Sequence, residues 1–510
     1  MKRKRLIKFF KKLHKWPAIL IALFAILFAA SGIVLNHRQF FSPIDVSRSL
    51  MPSNFSYKNW NLAAVRASLE IDEENSLMYG NIGVWKTNDD FKTFENFNQG
   101  FPKGIDNRKI YSVLQYKNSL FAGTQMGLFK RENLRDVWQK INLPVQKNRI
   151  ADLALKNDTL LVLTRHYLLT SVNGVDFTKI QLPEPVGYQR KTGLFNTFWE
   201  LHSGELFGLV GQLTVDLLGL VTIFLAITGL LHFFFPKIIR RKKRKEKKVA
   251  GLVGVKKKNL RWHNVVGYIF VLFLLINTFS GMHLRPPLLI PIANKTVNII
   301  PGTHMDSPNP WFDKLRRVHW DDDFNRYIFS TSEGFFFGNE SLNDKLQAAP
   351  SQPPVSIMGC NVLKPLGKQK YLVGSFSGMF LWDTKTGSVS DFFTEQPYVE
   401  PERMASPIGK QTVTGLVEGK ENAYWFDFNS GALGINSLGG TARFPKMPEE
   451  ILQNSPMSLW NVSLEIHTGR VFEHLVGALY ILYVPIAGIC ILLVLISGFF
   501  VWWMVYRKKG

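Results

Sequence analysis

The chain has 510 residues, 46% of them apolar, and a formal net charge of +23. That length accommodates more than one hydrophobic core, and the position of the positive charge beside long apolar runs argues against nucleic-acid binding. With two cysteines and no CxxCH motif, the sequence excludes covalently attached c-type haem, cysteine-bound zinc and iron–sulfur clusters.

The first predicted element, residues 1–37, is a basic N-terminus followed by an apolar run. The run is long enough to cross a bilayer, which takes about 20 residues. Its small residues at 29–32 would also suit the cleavage site of a signal peptide. The histidine pattern of this run recurs in the third apolar segment, which cannot be a signal, so the sequence favours a retained transmembrane helix.

Residues 38–200 and 286–466 are predicted to be β regions with a weak repeat. Each repeat has a strand of β-branched or aromatic residues, a polar or glycine turn and a second apolar strand. The repeats are Ser76–Thr87, Ser119–Arg131, Thr159–Ser171, Arg326–Asn339, Lys370–Asp383 and Asn422–Asn436. Corresponding glycines are 44 residues apart in both regions (83 and 127, 334 and 378), a period typical of a four-stranded propeller blade.

An isolated sheet of three blades would leave open strand edges. We therefore expect one six-bladed, propeller-like assembly with three blades from each region, in preference to two separate β domains. Polar links such as NDDFKTF and NGVDFTKI would supply the outer strands.

The remaining apolar segments predict three further transmembrane helices. They lie in residues 201–236, 262–285 and 467–510, the last with a short tail, and a basic loop, 237–261, joins the first two. Because positive clusters mark the cytoplasmic ends of membrane spans, both termini and this loop are expected in the cytoplasm and both β regions in the periplasm. The sequence thus predicts a multi-pass protein of a bacterial inner membrane that contacts membrane lipid.

Two pairs of segments match each other, which indicates a duplicated two-helix unit. LHKWPAILIALFAILFAASGIVLNHR matches WHNVVGYIFVLFLLINTFSGMHLR, and in each a histidine, His14 or His263, precedes a glycine by 18 residues. FWELHSGELFG matches SLEIHTGRVFE, which brings His202 into register with His467. The predicted fold class is an α + β membrane protein with four transmembrane helices and an all-β periplasmic region.

Histidines at matching helix ends are candidate haem ligands, because ionisable residues in spans are often functional and electron-transfer haems take two axial imidazoles. The alternative for each is an interfacial side chain that hydrogen-bonds to lipid headgroups. The two ends of one helix are about 34 Å apart, so two haems at two levels are expected. The candidate pairs are His14 with His263, His202 with His467, and His37 with His283, with His474 as an alternative on the helix face of His467.

Asp216 is an acidic residue within the second apolar segment. It follows His202 by 14 residues, nearly four helical turns, so both are expected on one face. Such a carboxylate would orient a histidine or accept a proton, or else bond a neighbouring helix. His232 has no counterpart, since Val501 stands at the matching place. The glycines expected to permit close helix or macrocycle approach are Gly208, Gly211, Gly219, Gly229 and Gly477.

These segments resemble the PepSY-associated transmembrane family. The resemblance is carried by LHKW with SGIVLNHR, ELHSGELFG with VDLLGL and TGLL, RWHNVVGYIF, and EIHTGRVF, which together cover all four spans. The family includes inner-membrane ferrisiderophore reductases with b-type haem. The resemblance therefore implies His14, His202, His263 and His467 as the foremost ligands, with His37, His283 and His474 behind them. It does not extend to the β regions.

The sequence thus predicts a haem-binding inner-membrane protein, with two haems b, that passes electrons to a periplasmic acceptor such as ferric iron or a ferrisiderophore. A haem-dependent ferric-chelate reductase is the corresponding enzyme. Since no flavin or nicotinamide motif is present, the donor would be a cytoplasmic partner or the quinone pool. The alternative is a non-enzymatic, membrane-anchored propeller scaffold that binds other cell-envelope proteins.

Overall fold

The computed structural model describes residues 3–88, 91–146, 149–399, 409–419, 422–435 and 443–507. The chain folds as two compact units, each assembled from separate stretches of sequence. The helical unit comprises Met1–Phe41, Arg190–Asp306 and Leu459–Gly510, and the propeller unit comprises Ser42–Gln189 and Ser307–Ser458.

The helices of the described residues belong mainly to the helical unit. They are α1 (Arg3–Asn36), α2 (Arg38–Phe41), α3 (Leu194–Ser203), α4 (Gly208–Arg244), α5 (Ala250–Met282), α6 (Glu449–Gln453), α7 (Leu459–His467), α8 (Glu473–Val476) and α9 (Tyr483–Val501).

The helical unit is a four-helix arrangement in which α1 contacts α4, α4 contacts α5, α5 contacts α9, and α9 contacts α1. The four spans long and apolar enough to cross a membrane are Arg3–Asn36, Glu205–Arg244, Ala250–Met282 and Arg470–Tyr506. Short helices precede two of them: α3 packs on α5, and α7 packs on α1. Because α1 corresponds to α5 and α4 to α9, these contacts follow the approximate twofold symmetry that the duplicated sequence predicts. This is a multi-pass membrane protein.

The strands of the described residues are short, as in most propellers. They are β1 (Asp45–Val46), β2 (Ala67–Glu70), β3 (Asn75–Gly80), β4 (Gly83–Asn88), β5 (Phe94–Asn96), β6 (Ile110–Tyr116), β7 (Ser119–Thr124), β8 (Gly127–Arg131), β9 (Gln139–Ile141), β10 (Ile150–Lys156), β11 (Thr159–Thr164), β12 (Leu168–Ser171), β13 (Thr178–Ile180), β14 (Lys191–Gly193), β15 (Thr296–Asn298), β16 (Leu315–Asp321), β17 (Arg326–Thr331), β18 (Gly334–Asn339), β19 (Gln347–Ala348), β20 (Val362–Gly367), β21 (Lys370–Ser375), β22 (Gly378–Asp383), β23 (Val389–Asp391), β24 (Val413–Glu418), β25 (Ala423–Asp427), β26 (Gly431–Ile435) and β27 (Met457–Ser458).

These strands form six antiparallel blades, three from each half of the chain. Blades 1 to 3 are β2–β5, β6–β9 and β10–β13, and blades 4 to 6 are β16–β19, β20–β23 and β24–β26. Each of the six predicted repeats contains the second and third strands of one blade, although Asn436, which ends the sixth, lies outside the described residues. The polar link NGVDFTKI supplies β13, whereas NDDFKTF, whose residues 89 and 90 are also outside them, reaches only the first residue of β5, Phe94. The predicted propeller with three blades per half is therefore confirmed.

Hydrophobic clusters join every pair of consecutive blades and close the ring. Blades 6 and 1 meet through Phe426 and Met78, and their first strands pair in parallel, with Ala67 opposite Leu416. The other junctions contain Leu77 with Ala122, Phe121 with Val162, Leu163 with Phe329, Ile328 with Val373, and Leu372 with Trp425. Neither half closes a ring alone, which is why the two distant stretches of sequence share one unit.

Several domain and loop boundaries in the structure differ from those expected. The helical unit includes β14, which pairs with β15, and also α3 and α7, although all four begin inside the expected β regions 38–200 and 286–466. The expected basic loop 237–261 is largely helical, since α4 runs to Arg244 and α5 begins at Ala250. Lys and Arg are good helix formers whose long side chains reach water, so the helices continue beyond their apolar parts.

Candidate functional site

The helical unit encloses a cavity of about 1200 Å³ that is lined by all four long helices. Five of the eleven histidines line it: His14, His202, His232, His263 and His467. A pocket for one drug-sized ligand measures about 300–1,000 Å³, so the volume of this cavity lies above that range. Histidines that converge on such a space are the natural starting point for a functional site.

His14 of α1 and His263 of α5 face each other with ring centroids 6.2 Å apart. Nδ1 of His14 donates to the carbonyl of Val494 at 2.9 Å. Nδ1 of His263 lies 2.8 Å from Oγ1 of Thr228, which donates its own hydrogen to the carbonyl of Phe224 and so accepts from the ring. Both rings are thereby held with Nε2 free of these bonds.

His202 of α3 and His467 of α7 form the equivalent pair, with ring centroids 5.9 Å apart. Nδ1 of His202 donates to the carbonyl of Asn277 at 3.0 Å. Nδ1 of His467 lies 3.1 Å from the carbonyl of Phe28 and 3.0 Å from the hydroxyl of Ser31. The two predicted pairs are thus brought together, with the same ring nitrogen engaged in all four residues.

A Ser-Gly or Thr-Gly step in each long helix receives one of these histidines. The sequence pattern marked the glycines at 32, 229 and 281, but not the hydroxyl residue that precedes each of them. A Cβ atom added to the glycine would lie within 3.5 Å of the ring in every case. The contacts are Gly498 with His14, Gly229 with His263, Gly281 with His202, and Gly32 with His467. The hydroxyl beside each glycine bonds to the carbonyl one turn earlier. The hydroxyls of Ser31 and Thr228 also bond to a ring nitrogen, of His467 and His263 respectively. Four dipeptides at matching places in four apolar runs were the available signal.

The other candidate histidines do not join these pairs. His37 is hydrogen-bonded to Asp216, and His283 packs on Phe279 with Nδ1 donating to its carbonyl. His474 is exposed in α8 and donates to the carbonyl of Val471. The expectation that His474 shares a helix face with His467 is wrong, because Gly469, with φ +77°, ends α7 between them.

Asp216 of α4 lies on the cavity and binds the end of α1. Its carboxylate accepts from Nε2 of His37 at 2.6 Å and from Nδ2 of Asn36 at 3.1 Å. It therefore both orients a histidine and bonds the neighbouring helix α1, two of the roles that the sequence left open. The helical count from His202 does not apply, since Gly204, with φ +83°, separates α3 from α4.

The predicted glycines divide into two groups. Gly211, Gly219 and Gly229 allow close packing, against Gly204, Ile33 and His263. Nothing lies within 4 Å of a Cβ at Gly208 or Gly477, whose φ angles of +60° and +56° show that they serve the backbone turn instead. Close approach is thus confirmed for the first group only.

The arrangement fits two bis-imidazole haems in three respects: the distance between the rings of each pair, the tautomer of each ring and the positive charge on the cavity wall. A metal–imidazole bond is about 2 Å long and the ring centre lies about 1 Å further, so two imidazoles across one iron have centres about 6 Å apart. The Nδ1–H of a ligating histidine almost always has a hydrogen-bond partner, as here. Arg38, Arg285 and Arg470 line the cavity and offer donors for carboxylates.

The family model for the PepSY-associated TM region matches residues 1–235 and 237–505 of the chain. No curated protein matches significantly. Among solved structures, the chain is similar to the extracellular domain of a putative hybrid two-component system from B. thetaiotaomicron (TM-score 0.38, 10% identity, 75% of this chain and 34% of that chain). It is also similar to PorZ of Porphyromonas gingivalis (0.32, 9%, 77% and 39%) and to the WD40 β-propeller domain of Doa1 (0.31, 9%, 78% and 97%). The chain spans about a third of the first of these and about two-fifths of the second.

Proposed function

The chain belongs to the PepSY-associated transmembrane family, and we propose that it binds two haems b and passes electrons across the inner membrane to a periplasmic acceptor. One observation carries this proposal. Two pairs of histidines, His14 with His263 and His202 with His467, repeat the same spacing and the same Nδ1 bonding. Interfacial histidines would not need to meet in pairs inside a cavity.

The residues of the chain hold and orient the ligating rings. Carbonyl and hydroxyl groups on the neighbouring helix fix each Nδ1–H, which leaves Nε2 to bind iron and makes the ring a stronger ligand. Haem, when bound, would supply the one-electron redox chemistry. Glycines at the four ring contacts keep the helices close enough for both rings of a pair to reach one metal.

The positions of the two pairs along α1 support transfer between two levels. His14 belongs to the first pair and Gly32 receives His467 of the second, 18 residues later, or about 27 Å of helix. The cavity is lined continuously by residues from both levels. Phe28 contacts His467 and stacks on Tyr483, so it forms part of the packing between the two levels.

Charge supports the direction of transfer. His14 follows the basic N-terminus and His263 follows Lys256–Arg261, so the first pair adjoins the basic ends of two spans. Under the positive-inside rule those ends, and both termini, face the cytoplasm. The donor is then a cytoplasmic protein or a quinone, and the acceptor, a ferric chelate such as a ferrisiderophore, reacts at the His202–His467 end.

The haem content of the purified protein tests the proposal. Protein from haem-replete cells should give the spectrum of low-spin, bis-imidazole haem b, with close to two haems per chain. After chemical reduction, addition of a ferric chelate should reoxidise it. A protein that binds no haem would overturn the proposal and favour the membrane-anchored scaffold that binds envelope proteins.

Topology is tested separately. A reporter fused after Lys248 should behave as cytoplasmic, and one fused after Gly174 as periplasmic. The reverse result at either site would contradict the direction of transfer while leaving haem binding open to its own test.

A further inference from the structure

The axis of the propeller carries a cluster of arginine side chains that electron transfer in the helical unit does not use. The first strands of the blades are innermost, since β2 contacts β6 and β24, β6 contacts β10, β10 contacts β16, and β20 contacts β24. Around their beginnings lie Arg66 of blade 1, Tyr111 of blade 2, Arg149 of blade 3, Arg317 of blade 4 and Asn361 of blade 5. Five blades therefore contribute to one place.

Contacts across non-adjacent blades show that these side chains meet at the axis. Nη1 of Arg66, in blade 1, donates to Oδ1 of Asn361, in blade 5, at 3.3 Å. The guanidinium of Arg66 lies 4.7 Å from the ring centroid of Tyr111, and that of Arg149 lies 4.8 Å from the same centroid. Tyr111 thus contacts two arginines that come from blades on either side of its own.

The cluster has more positive than negative charge. Apart from its burial, the groups that act most strongly on Arg66 are two arginines, Arg317 and Arg149, and two tyrosines. Burial lowers the pKa of Arg66, and the neighbouring arginines lower it further. The buried carboxylate nearby is Asp152, which raises the pKa of Arg317 against the effect of burial.

Arg66 is also incompletely bonded. Its Nε is buried and has no hydrogen-bond partner among the residues that the structure describes. Like charges held close together repel each other, and a buried donor without a partner costs free energy. A bound anion would relieve both effects, because guanidinium groups bind carboxylate and phosphate oxygens through paired hydrogen bonds.

We propose that this axial cluster binds a small oxyanion, with Arg66 as its principal ligand and Tyr111 holding the guanidinium groups of Arg66 and Arg149 in place. The ligand class is a carboxylate or a phosphate, free or as part of a small molecule. The site lies entirely within the propeller unit, so it stands independently of haem binding.

Titration calorimetry on the full chain in detergent tests this site, with citrate and inorganic phosphate as separate probes at matched ionic strength. We expect at least one probe to bind and to raise the melting temperature of the protein, as a ligand of the native state must. The probe that binds more tightly identifies the ligand as carboxylate or phosphate. Absence of binding by both probes at millimolar concentrations would overturn the proposal.

Substitutions locate the site. Arg66→Gln should weaken binding about tenfold to a hundredfold, and Arg66→Lys should weaken it less, since lysine keeps the charge without the fork. Arg135→Gln, at an exposed position, should bind the probe with the same affinity as the natural protein. If Arg66→Gln does not fold, Arg149→Gln tests the other side of Tyr111. Unchanged affinity in the folded variant would exclude the axial site, and the haem spectrum should be the same in all of these proteins.

Discussion

Gly281 and His202 lie so close together that position 281 has no room for a side chain. A Cβ atom there would lie 2.4 Å from Cε1 and 2.6 Å from Nδ1 of His202, far inside van der Waals contact. The same ring donates to the carbonyl of Asn277, one turn earlier on α5. Gly281 therefore provides the space that the His202 ring occupies.

Gly281→Ala should displace His202 and lower the bound haem from about two to about one per chain. The added methyl group has to move the ring, because the neighbouring atoms are those of the imidazole itself. Gly251→Ala is the matched control, since it lies on the same helix with nothing within 4 Å of its Cβ position. Haem per chain is measured by the pyridine haemochrome assay. Full occupancy in Gly281→Ala would show that His202 is not a ligand.

His467→Ala should remove the haem assigned to His202 and His467, whereas His474→Ala should leave both haems bound. His467 is paired with His202 inside the cavity, and His474 is exposed on a separate short helix. His14→Ala should in turn remove the other haem, since loss of one axial ligand breaks one site. Absorbance spectra of the reduced proteins separate the cases. Loss of haem in His474→Ala with none in His467→Ala would reverse the assignment.

Thr228→Val should weaken haem binding by His14 and His263 without changing either of these residues. The hydroxyl of Thr228 accepts from Nδ1 of His263, and loss of such a partner costs about 10- to 100-fold in metal affinity. Thr214→Val is the control on the same helix, because that exposed hydroxyl bonds only to its own helix at Val210. The rate of haem transfer to apomyoglobin is used to compare the haem affinities of the two variants. Equal transfer rates in the two variants would contradict a role for the hydroxyl.

The duplicated sequence was enough to predict which histidines pair, but not the groups that support their rings. His14 with His263 and His202 with His467 follow from the aligned repeats, because equivalent positions meet across a pseudo-twofold axis. The counts that assumed a continuous helix, from His202 to Asp216 and from His467 to His474, failed at glycines in the left-handed region. The Ser-Gly steps were missed because a small residue in an apolar run is usually attributed to helix packing alone.

The propeller was predictable from its turns, whereas its axial cluster was not. The 44-residue glycine spacing marks the sharp turn between the second and third strands of blades 1, 2, 4 and 5, where φ is positive at Gly83, Gly127, Gly334 and Gly378. Arg66 and Asn361 each precede the turn glycine of their blade by 17 residues, and Tyr111 precedes its own by 16, but their residue types differ, so this spacing does not mark a site. Their meeting depends on closure of the ring, which no local pattern encodes.

Residues 42–189, expressed alone, should aggregate, and should become soluble when co-expressed with residues 307–458. Blades 1 and 3 each lose a neighbour in the fragment, which exposes Met78 and Trp85 on one side and Leu161 and Leu163 on the other. Open edges and apolar faces favour association. Size-exclusion chromatography measures the outcome. A monomeric fragment that melts cooperatively would show that three blades suffice.

Asp427→Asn should destabilise the propeller at neutral pH, and the difference should narrow in acid. One oxygen of Asp427 accepts from N and Oγ1 of Thr412, and the other accepts from N of Asn429 and N of Ser430, at 2.7–2.8 Å. Burial favours the neutral acid, but these hydrogen bonds together lower the pKa of Asp427 below 3.8. An amide offers one oxygen only, so two donors lose their acceptor, at a cost of about 1–3 kcal/mol.

The sign of the pH effect follows from the lowered pKa. A carboxyl whose pKa is lower in the folded state stabilises the protein above its unfolded pKa, and that contribution disappears as pH falls through the folded value. The natural protein should therefore lose stability below about pH 4 more steeply than Asp427→Asn. Asp383→Asn is the control, because Asp383 receives the N–H groups of Lys385 and Thr386 on the single oxygen Oδ1, which asparagine retains. Melting of the full chain, followed by tryptophan fluorescence between pH 7 and 3, should show a larger difference at neutral pH for Asp427→Asn than for Asp383→Asn, since the pKa of exposed Asp383 is also lowered by its hydrogen bonds but no donor loses its acceptor there. A constant difference across that range would mean that the charge of Asp427 does not stabilise blade 6.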